Sequence, residues 1–402
     1  MKESEKYEWG EGVYTLLSWF KKERVKDASV LVAGAGALGN EVVKNLALFG
    51  VGHIYVVDFD RIEISNLTRS VLFREQDAFE HSYKAEVVAN RAMEINPQIK
   101  VFPIVGNLFS DVGFGLYRSV DVIIGCLDSR MARYQLNRLA MRAGKTWIDG
   151  SIENLTGVVR VFAPGQSCYE CSLSREEFNQ IMLRTGCADV VRTQGAAGRI
   201  ATTPVSASIV GAVQVQEAMK VIHQDETAAV PFKTLAGKMW RYEGMTAQTG
   251  MYKYAYWKNG CTAHNLWEPV LCCKELSAND TVAEALEKLK SFLKVKGLEI
   301  NMCNNKFVSR IISDSPERVF DVRIPESSLE EYIRSNEALR KLSYKTLFHK
   351  DFIENIDDTF PYPEMRLADV GLPLFDVIQV STAKSLRYVE LSADAAEYDI
   401  VR

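Results

Sequence analysis

The most constraining stretch of this chain begins at Ser29. An apolar strand, SVLVAGAG, breaks into Gly34-x-Gly36-x-x-Gly39, continues as the helical pattern NEVVKNLALFG, and returns in the apolar run HIYVVDFD with Asp58 at its exit. Strand, glycine turn, helix and strand in that order place backbone N–H groups at a helix N-terminus, where orphan donors and the helix dipole stabilise a phosphate. An acid about 20 residues past the glycines suits a ribose hydroxyl. Alone, this pattern implies a nucleotide and leaves the reaction open.

The same grammar runs on to Gly150. A helix is predicted from Lys84 to Glu94, ended by Asn96-Pro97, then a strand over 101–105, the apolar run DVIIGCL, a helix from Arg130 to Ala143 and the strand TWID. Near-continuous apolar strands alternating with helices imply an α/β fold, a Rossmann-like, doubly wound and mainly parallel sheet covered on both faces. Ligands of such sheets sit at the carboxyl ends of the strands, where Gly34, Asp58 and Asp128 fall. Beyond Gly150, NLTGVVRVFA and KMWRY read as antiparallel additions, so the sheet is expected to be mixed. Upstream, Val13, Leu16, Leu17 and Phe20 recur at helical spacing, and a docking helix is expected over 7–25.

A chain of 402 residues suggests two domains. The first is placed at 1–268, the second, α+β in character with an amphipathic helix TVAEALEKLKSFL and several short strands, at 269–402. A net charge of -4 gives no general pull towards nucleic acid or anionic lipid, and no stretch has the roughly 18 unbroken apolar residues of a membrane span. The opening residues carry no apolar leader, so a cytoplasmic location is the expectation. Eight cysteines, with one pair spaced Cys168-x-x-Cys171, point in a reducing compartment to metal or redox chemistry.

Residues 28–264 resemble the superfamily of ubiquitin-activating enzymes and of the thiamine and molybdopterin sulfur-carrier adenylyltransferases. The resemblance rests on GAGALG, on VDFD followed by SNLTR, on Lys84, on GCLDSRMARYQLN, on CYEC and on the cysteine of the following segment. It implies an ATP site in which Asp58 holds the ribose, Arg69 and Lys84 bind phosphates, Asp128 helps hold Mg2+, and Asp60 and Asn66 line the nucleotide. Such an enzyme lets a carboxylate attack the α-phosphate of ATP and expel pyrophosphate. The charge that accumulates is offset by fixed cations and a metal ion rather than by acid-base work. Each residue also has a plainer use: Arg69 and Lys84 as solvated charges, Asp58 as a turn acid, Asp128 with Ser129 as a helix cap. Cys126 reads as a core thiol.

Cys168 and Cys171 need a second pair to complete a tetrahedral site. About 90 residues on stand Cys261 and His264, and three thiolates with one imidazole form an accepted structural zinc set. The common family pattern has a fourth cysteine where this chain has His264. Cys187 lies in a segment, about 172–203, with little periodicity; in members that go beyond adenylation, a cysteine of this crossing loop accepts the carrier as a thioester or an acyl disulfide. Glycines at 186, 195 and 198 and arginines at 184, 192 and 199 suit a mobile loop and a lowered thiol pKa. An arginine that many relatives carry in the N-terminal helix is missing from KYEWGEGVYTLLSWF. The final segment, LADVGLPLFDVIQV followed by RYVEL, resembles the end of a ubiquitin-like β-grasp fold.

The resemblance thus implies an enzyme that adenylates the C-terminal carboxylate of a ubiquitin-like protein and passes it through Cys187 to a conjugating enzyme, as a homodimer. The competing readings are a sulfur-carrier adenylyltransferase that stops at the adenylate or hands over sulfur, a nicotinamide-dependent dehydrogenase, and a silent scaffold half of a heterodimer.

Overall fold

A computed structural model describes residues 9–10, 12–183, 202–224, 232–254, 260–266, 269–302, 305–314, 317–343 and 348–401. The chain divides into two compact units, one of Met1–Leu108 with Tyr117–Leu266, the other of Phe109–Leu116 with Trp267–Arg402.

The first unit is built on the strands β1 (Ser29–Ala33), β2 (His53–Val57), β3 (Lys100–Ile104), β4 (Val122–Gly125), β5 (Thr146–Glu153), β6 (Thr156–Phe162), β7 (Lys238–Glu243) and β8 (Gln248–Lys253), in the order β3-β2-β1-β4-β5-β6-β7-β8. The five strands from β3 to β5 pair in parallel, and β6 to β8 add antiparallel, so the mixed sheet expected from the sequence is present. Val30, Leu31, Val32 and Ala33 are fully buried because helices cover both faces, which is why the parallel strands read as unbroken apolar runs. The helices of this part of the chain are α1 (Lys22–Asp27), α2 (Ala37–Phe49), α3 (Glu75–Phe79), α4 (Lys84–Ile95), α5 (Phe114–Ser119), α6 (Arg130–Arg142), α7 (Tyr169–Ser172), α8 (Arg175–Leu183) and α9 (Pro204–Ile222). The Ser129 hydroxyl caps α6 by accepting from the Ala132 N–H, and Thr203 with Pro204 starts α9 in the same way through the Ser206 N–H.

The helix expected over 7–25 does not form. Among the described residues this stretch has a 3-10 turn, Tyr14–Leu16, and the short α1. Gly10 and Gly12 both take left-handed backbone angles, φ 74° and 91°, which end any helical run there. Aromatic groups dock the segment instead: the Trp9 indole N–H and the Tyr14 hydroxyl both donate to the Leu48 carbonyl, at 2.8 and 2.9 Å. Val13 and Leu16, expected on the buried face, are exposed.

The second unit is α+β. Its strands are β9 (Val270–Cys273), β10 (Glu299–Asn301), β11 (Phe307–Asp314), β12 (Glu317–Pro325), β13 (Phe348–Ile353), β14 (Asn355–Ile356), β15 (Val377–Ser381) and β16 (Leu386–Leu391). They form one sheet in the order β14-β10-β15-β16-β9 and another in the order β12-β11-β13. The last strand, β16, runs parallel to the first, β9. Helix α10 (Val282–Leu293) buries Val282, Ala285, Leu286 and Leu289, and α11 (Leu329–Ser335) with α12 (Glu337–Ser343) adds a small core around Val308, Ile311 and Leu339. Residues 109–116, which lie between β3 and β4 in sequence, belong to this unit. The Phe114 N–H donates to an Asp376 carboxylate oxygen at 2.9 Å and the Gly115 N–H to the Phe375 carbonyl at 2.9 Å. No helix among the described residues is long and apolar enough to cross a membrane.

Candidate nucleotide site and metal centre

The order of the parallel strands reverses at β1, which has β2 on one side and β4 on the other, and a crevice opens at the carboxyl ends of these strands. The glycine turn fills its floor. Gly34 adopts φ 102°, and a Cβ built on it would lie 2.6 Å from the Cys126 carbonyl oxygen; one on Gly39 would lie 2.0 Å from the Gly34 oxygen. Both glycines are therefore demanded by the protein's own backbone. Gly36 differs, because a Cβ there would meet nothing within 4 Å. Its lack of a side chain leaves space at the N-terminus of α2, which is what a phosphate approaching the backbone needs.

Asn40 holds this turn from beneath. It is fully buried, and its amide donates to the Ala35 and Gly36 carbonyls at 2.9 and 3.0 Å while its oxygen accepts from the Leu72 N–H at 2.9 Å. One side chain thus ties the glycine turn to the loop that carries Arg69.

Asp58 stands beside the turn. Its carboxylate accepts from the Ala35 N–H at 2.7 Å and the Asp60 N–H at 2.8 Å. Burial raises its pKa, and the Lys84 charge and these two backbone bonds oppose that rise. Residues 60–62 run antiparallel to 82–84, with the Arg61 guanidinium 3.7 Å above the Tyr83 ring. This pairing sets Lys84 at the start of α4, where its ammonium meets the Asp60 carboxylate at 2.7 Å. The lysine side chain is 12% exposed and its partner 52%, so the pair sits at the lip of the crevice.

Hydrogen bonds therefore join the glycine turn, Asp58, Asp60 and Lys84 into one cluster. Asn66 and Arg69 are engaged more locally: Asn66 accepts from the Glu63 N–H at 2.9 Å to close its own turn, and the Arg69 guanidinium donates to the Ser65 carbonyl at 2.7 Å. Asp128 is exposed in the loop between β4 and α6 and has no hydrogen bond or ion pair among the described residues; Ser129, not Asp128, caps the helix. Behind that loop lies a buried ionic group whose pairing the sequence does not show, although Arg133 falls within the GCLDSRMARYQLN run. Arg133 pairs with Asp149 at 2.9 Å, Arg160 with the other Asp149 oxygen at 2.9 Å, and Arg133 also donates to the Leu127 carbonyl. Cys126 is partly buried, and its thiol is pushed up by burial, as suits a core thiol. Cys187 lies outside the described residues.

Cys168, Cys171, Cys261 and His264 meet with all their donor atoms within 4.8 Å of one another. The Cys168–Cys171 and Cys168–Cys261 sulfur distances are 3.7 and 3.8 Å, and the Cys171 sulfur lies 3.5 Å from the His264 Nε2. A tetrahedron with bonds of about 2.3 Å to sulfur and about 2.0–2.1 Å to nitrogen has edges of about 3.8 and 3.5 Å. These donors fit zinc. Arg138 of α6 clamps both halves, donating to Glu170 at 2.9 Å and to the Thr262 hydroxyl at 2.6 Å, while Asn137 accepts from the Tyr169 N–H at 2.9 Å.

A reversing parallel sheet, a glycine turn open at its second glycine, and an acid with a lysine beside it define a mononucleotide-binding α/β domain. Residues 15–263 match the ThiF family, and the chain belongs to that family. It is 32% identical over 232 residues to the sulfur carrier protein adenylyltransferase of Thermus thermophilus, covering 56% of this chain and 78% of that one. The molybdopterin-synthase adenylyltransferase of Salmonella typhimurium is 32% identical over 230 residues, with 56% and 83% covered. The NEDD8-activating enzyme E1 catalytic subunit of Schizosaccharomyces pombe is 39% identical over 161 residues, but the match spans only 38% of this chain and 36% of that one. Among solved structures, Escherichia coli MccB with ATP shares the fold at a TM-score of 0.51 and 22% identity, covering 66% of this chain and 75% of that one.

Proposed function

We propose that the chain is an ATP-dependent adenylyltransferase that activates the C-terminal carboxylate of a ubiquitin-like protein. The observation that carries this reading is the cluster at the ends of β1 and β2: open space at Gly36, the Asp58 carboxylate beside it, and Lys84 held at the lip by Asp60. Asp58 receives the ribose hydroxyls, and Lys84 exchanges the exposed Asp60 carboxylate for a phosphate oxygen. Arg69 adds a second cation, and Asn66 keeps its turn in shape. The carrier carboxylate attacks the α-phosphate, an oxygen–phosphorus bond forms as the bond to the β-phosphate breaks, and pyrophosphate leaves. Positioned charge lowers the barrier because negative charge gathers on the phosphate oxygens in the transition state.

Asp128, exposed and without a partner among the described residues, suits Mg2+, a hard cation that takes one or two protein carboxylates and, when bound, offsets phosphate charge. Zinc held by Cys168, Cys171, Cys261 and His264 is structural, since four protein donors leave no open position. In the full reading the Cys187 thiolate then attacks the acyl adenylate, a thioester forms and AMP leaves. The C-terminal unit recruits a conjugating enzyme, and the chain works as a homodimer.

A second reading ends at the adenylate and serves a sulfur carrier; it is favoured by relatives of that kind whose length this chain largely covers. Exchange of labelled pyrophosphate into ATP, run with candidate ubiquitin-like proteins, tests the adenylation step common to both; no exchange with any carrier refutes it. A reducible gel shift of the carrier, lost in Cys187→Ala, separates the two.

A further inference from the structure

The loop from the end of β4 to Asp128 is held at each carbonyl leading to that acid. The Gly125 carbonyl accepts from the Gln214 amide at 2.9 Å, and the same amide donates to the Ile148 carbonyl at 3.1 Å, strapping β4 to β5. The Cys126 N–H donates to the Ala33 carbonyl at 2.8 Å, the last rung between β4 and β1. Its carbonyl lies against Gly34, closer than any side chain there would allow. The Leu127 carbonyl accepts from an Arg133 terminal nitrogen, which also reaches the Gly150 carbonyl at 3.3 Å. At the end of this series Asp128 alone makes no bond among the described residues. The Asp128 carboxylate thus stands exposed at the end of a braced loop, unengaged by the described residues.

Stability does not explain the groups that fix it. Arg133 is 7% exposed and Asp149 fully buried, and burying such a pair seldom improves stability over apolar residues of similar volume. What the pair supplies is geometry. The guanidinium fork satisfies Asp149 through Nε and two backbone carbonyls through one terminal nitrogen, while Arg160 takes the remaining Asp149 oxygen at 2.9 Å. A lysine keeps the charge but presents a single point and cannot serve both directions.

We infer that Arg133, braced by Asp149 and Arg160, is a positioning residue that holds Asp128 against the phosphate loop for a divalent cation on the nucleotide. The inference rests on the nucleotide reading of the site given above. Arg133→Ala leaves a buried charge behind and risks unfolding the domain, so Arg133→Lys is the informative variant. Its test is equilibrium binding of ATP to the full chain, titrated with Mg2+, beside AMP binding in chelator. Arg133→Lys raises the Mg2+ concentration at half-saturation about 10- to 100-fold, the usual effect of removing a group that orients a ligand. AMP binding without metal stays unchanged, and in an Asp128→Asn background the same substitution adds nothing further.

An unchanged Mg2+ dependence overturns the inference, as does a shift that persists in full without the Asp128 carboxylate. A fall in metal-free AMP binding equal to the fall in ATP binding also overturns it, because a merely structural role would do that. Loss of pyrophosphate exchange with intact Mg2+-dependent ATP binding refutes the adenylation reading and leaves this inference standing.

Discussion

Zinc removal offers the sharpest quantitative test. The four donors converge with edges of 3.7, 3.8 and 3.5 Å, and Cys168 is 93 residues from Cys261 in sequence, so a bound ion closes a long loop. Treated as a cross-link, closure of a loop that long restricts the unfolded chain by roughly 4–5 kcal/mol. Net stabilities are about 5–15 kcal/mol, so metal loss removes a large share. In a unit of this size, each kcal/mol shifts Tm by about 2–4 °C, and the expected fall is about 10–20 °C. The assay pairs elemental analysis of purified protein with thermal melts in the presence and absence of a strong chelator. One zinc per chain is expected, lost with Tm in His264→Ala and kept in His264→Cys, which restores four thiolates. A full zinc complement in His264→Ala, or an unchanged Tm in protein stripped of metal, refutes the reasoning.

Three further outcomes follow from individual contacts. Lys84→Met removes the cation at the crevice lip and lowers pyrophosphate exchange about 100- to 1000-fold, with the melt little changed; exchange within twofold of the parent contradicts the role given to it. Gly39→Ala forces a Cβ to within 2.0 Å of the Gly34 carbonyl, so the turn must shift, costing about 1–3 kcal/mol by denaturant midpoint and abolishing ATP binding; normal ATP binding would show that the turn is not the phosphate floor. Asp376 is pushed up to about 6 from its ordinary 3.8 by burial, against the bonds from the Phe114 and Val377 N–H groups. A raised carboxyl pKa contributes stability that is complete below about pH 4 and lost as pH rises through 6, at most about 3 kcal/mol. Thermal melts of the full chain between pH 4 and 7 should show that decline, and Asp376→Asn should flatten it; parallel profiles exclude Asp376 as its source.

Local pattern revealed much of the architecture because parallel strands must be apolar on both faces and glycine turns have few substitutes. The runs that became β1, β2 and β4 needed no tertiary information. The pattern misled at the N-terminus, where helical spacing from Val13 to Phe20 outweighed Gly10 and Gly12. Their left-handed backbone and the Leu48 carbonyl, free to accept from Trp9 and Tyr14, decided otherwise. The roles of Asn40, Asp149 and Gln214, and that of Arg133 within GCLDSRMARYQLN, were not legible, since a buried polar group inside a helix or strand is recognised only by the partners that three-dimensional packing brings to it.

The glycine turn, the acid at the end of the second strand and the two short pairs Cys168-x-x-Cys171 and Cys261-x-x-His264 are legible in the chain itself, because each depends on residue type at short spacing. How they are used depends on packing. It separated Gly34 and Gly39, which the backbone demands, from Gly36, which leaves room for a ligand. It paired Lys84 with Asp60, brought Cys261 and His264 to Cys168 across 93 residues, and gave residues 109–116 to the second unit. Those outcomes turn on atoms distant in sequence coming within bonding distance, which only the packed sheet and its helices impose.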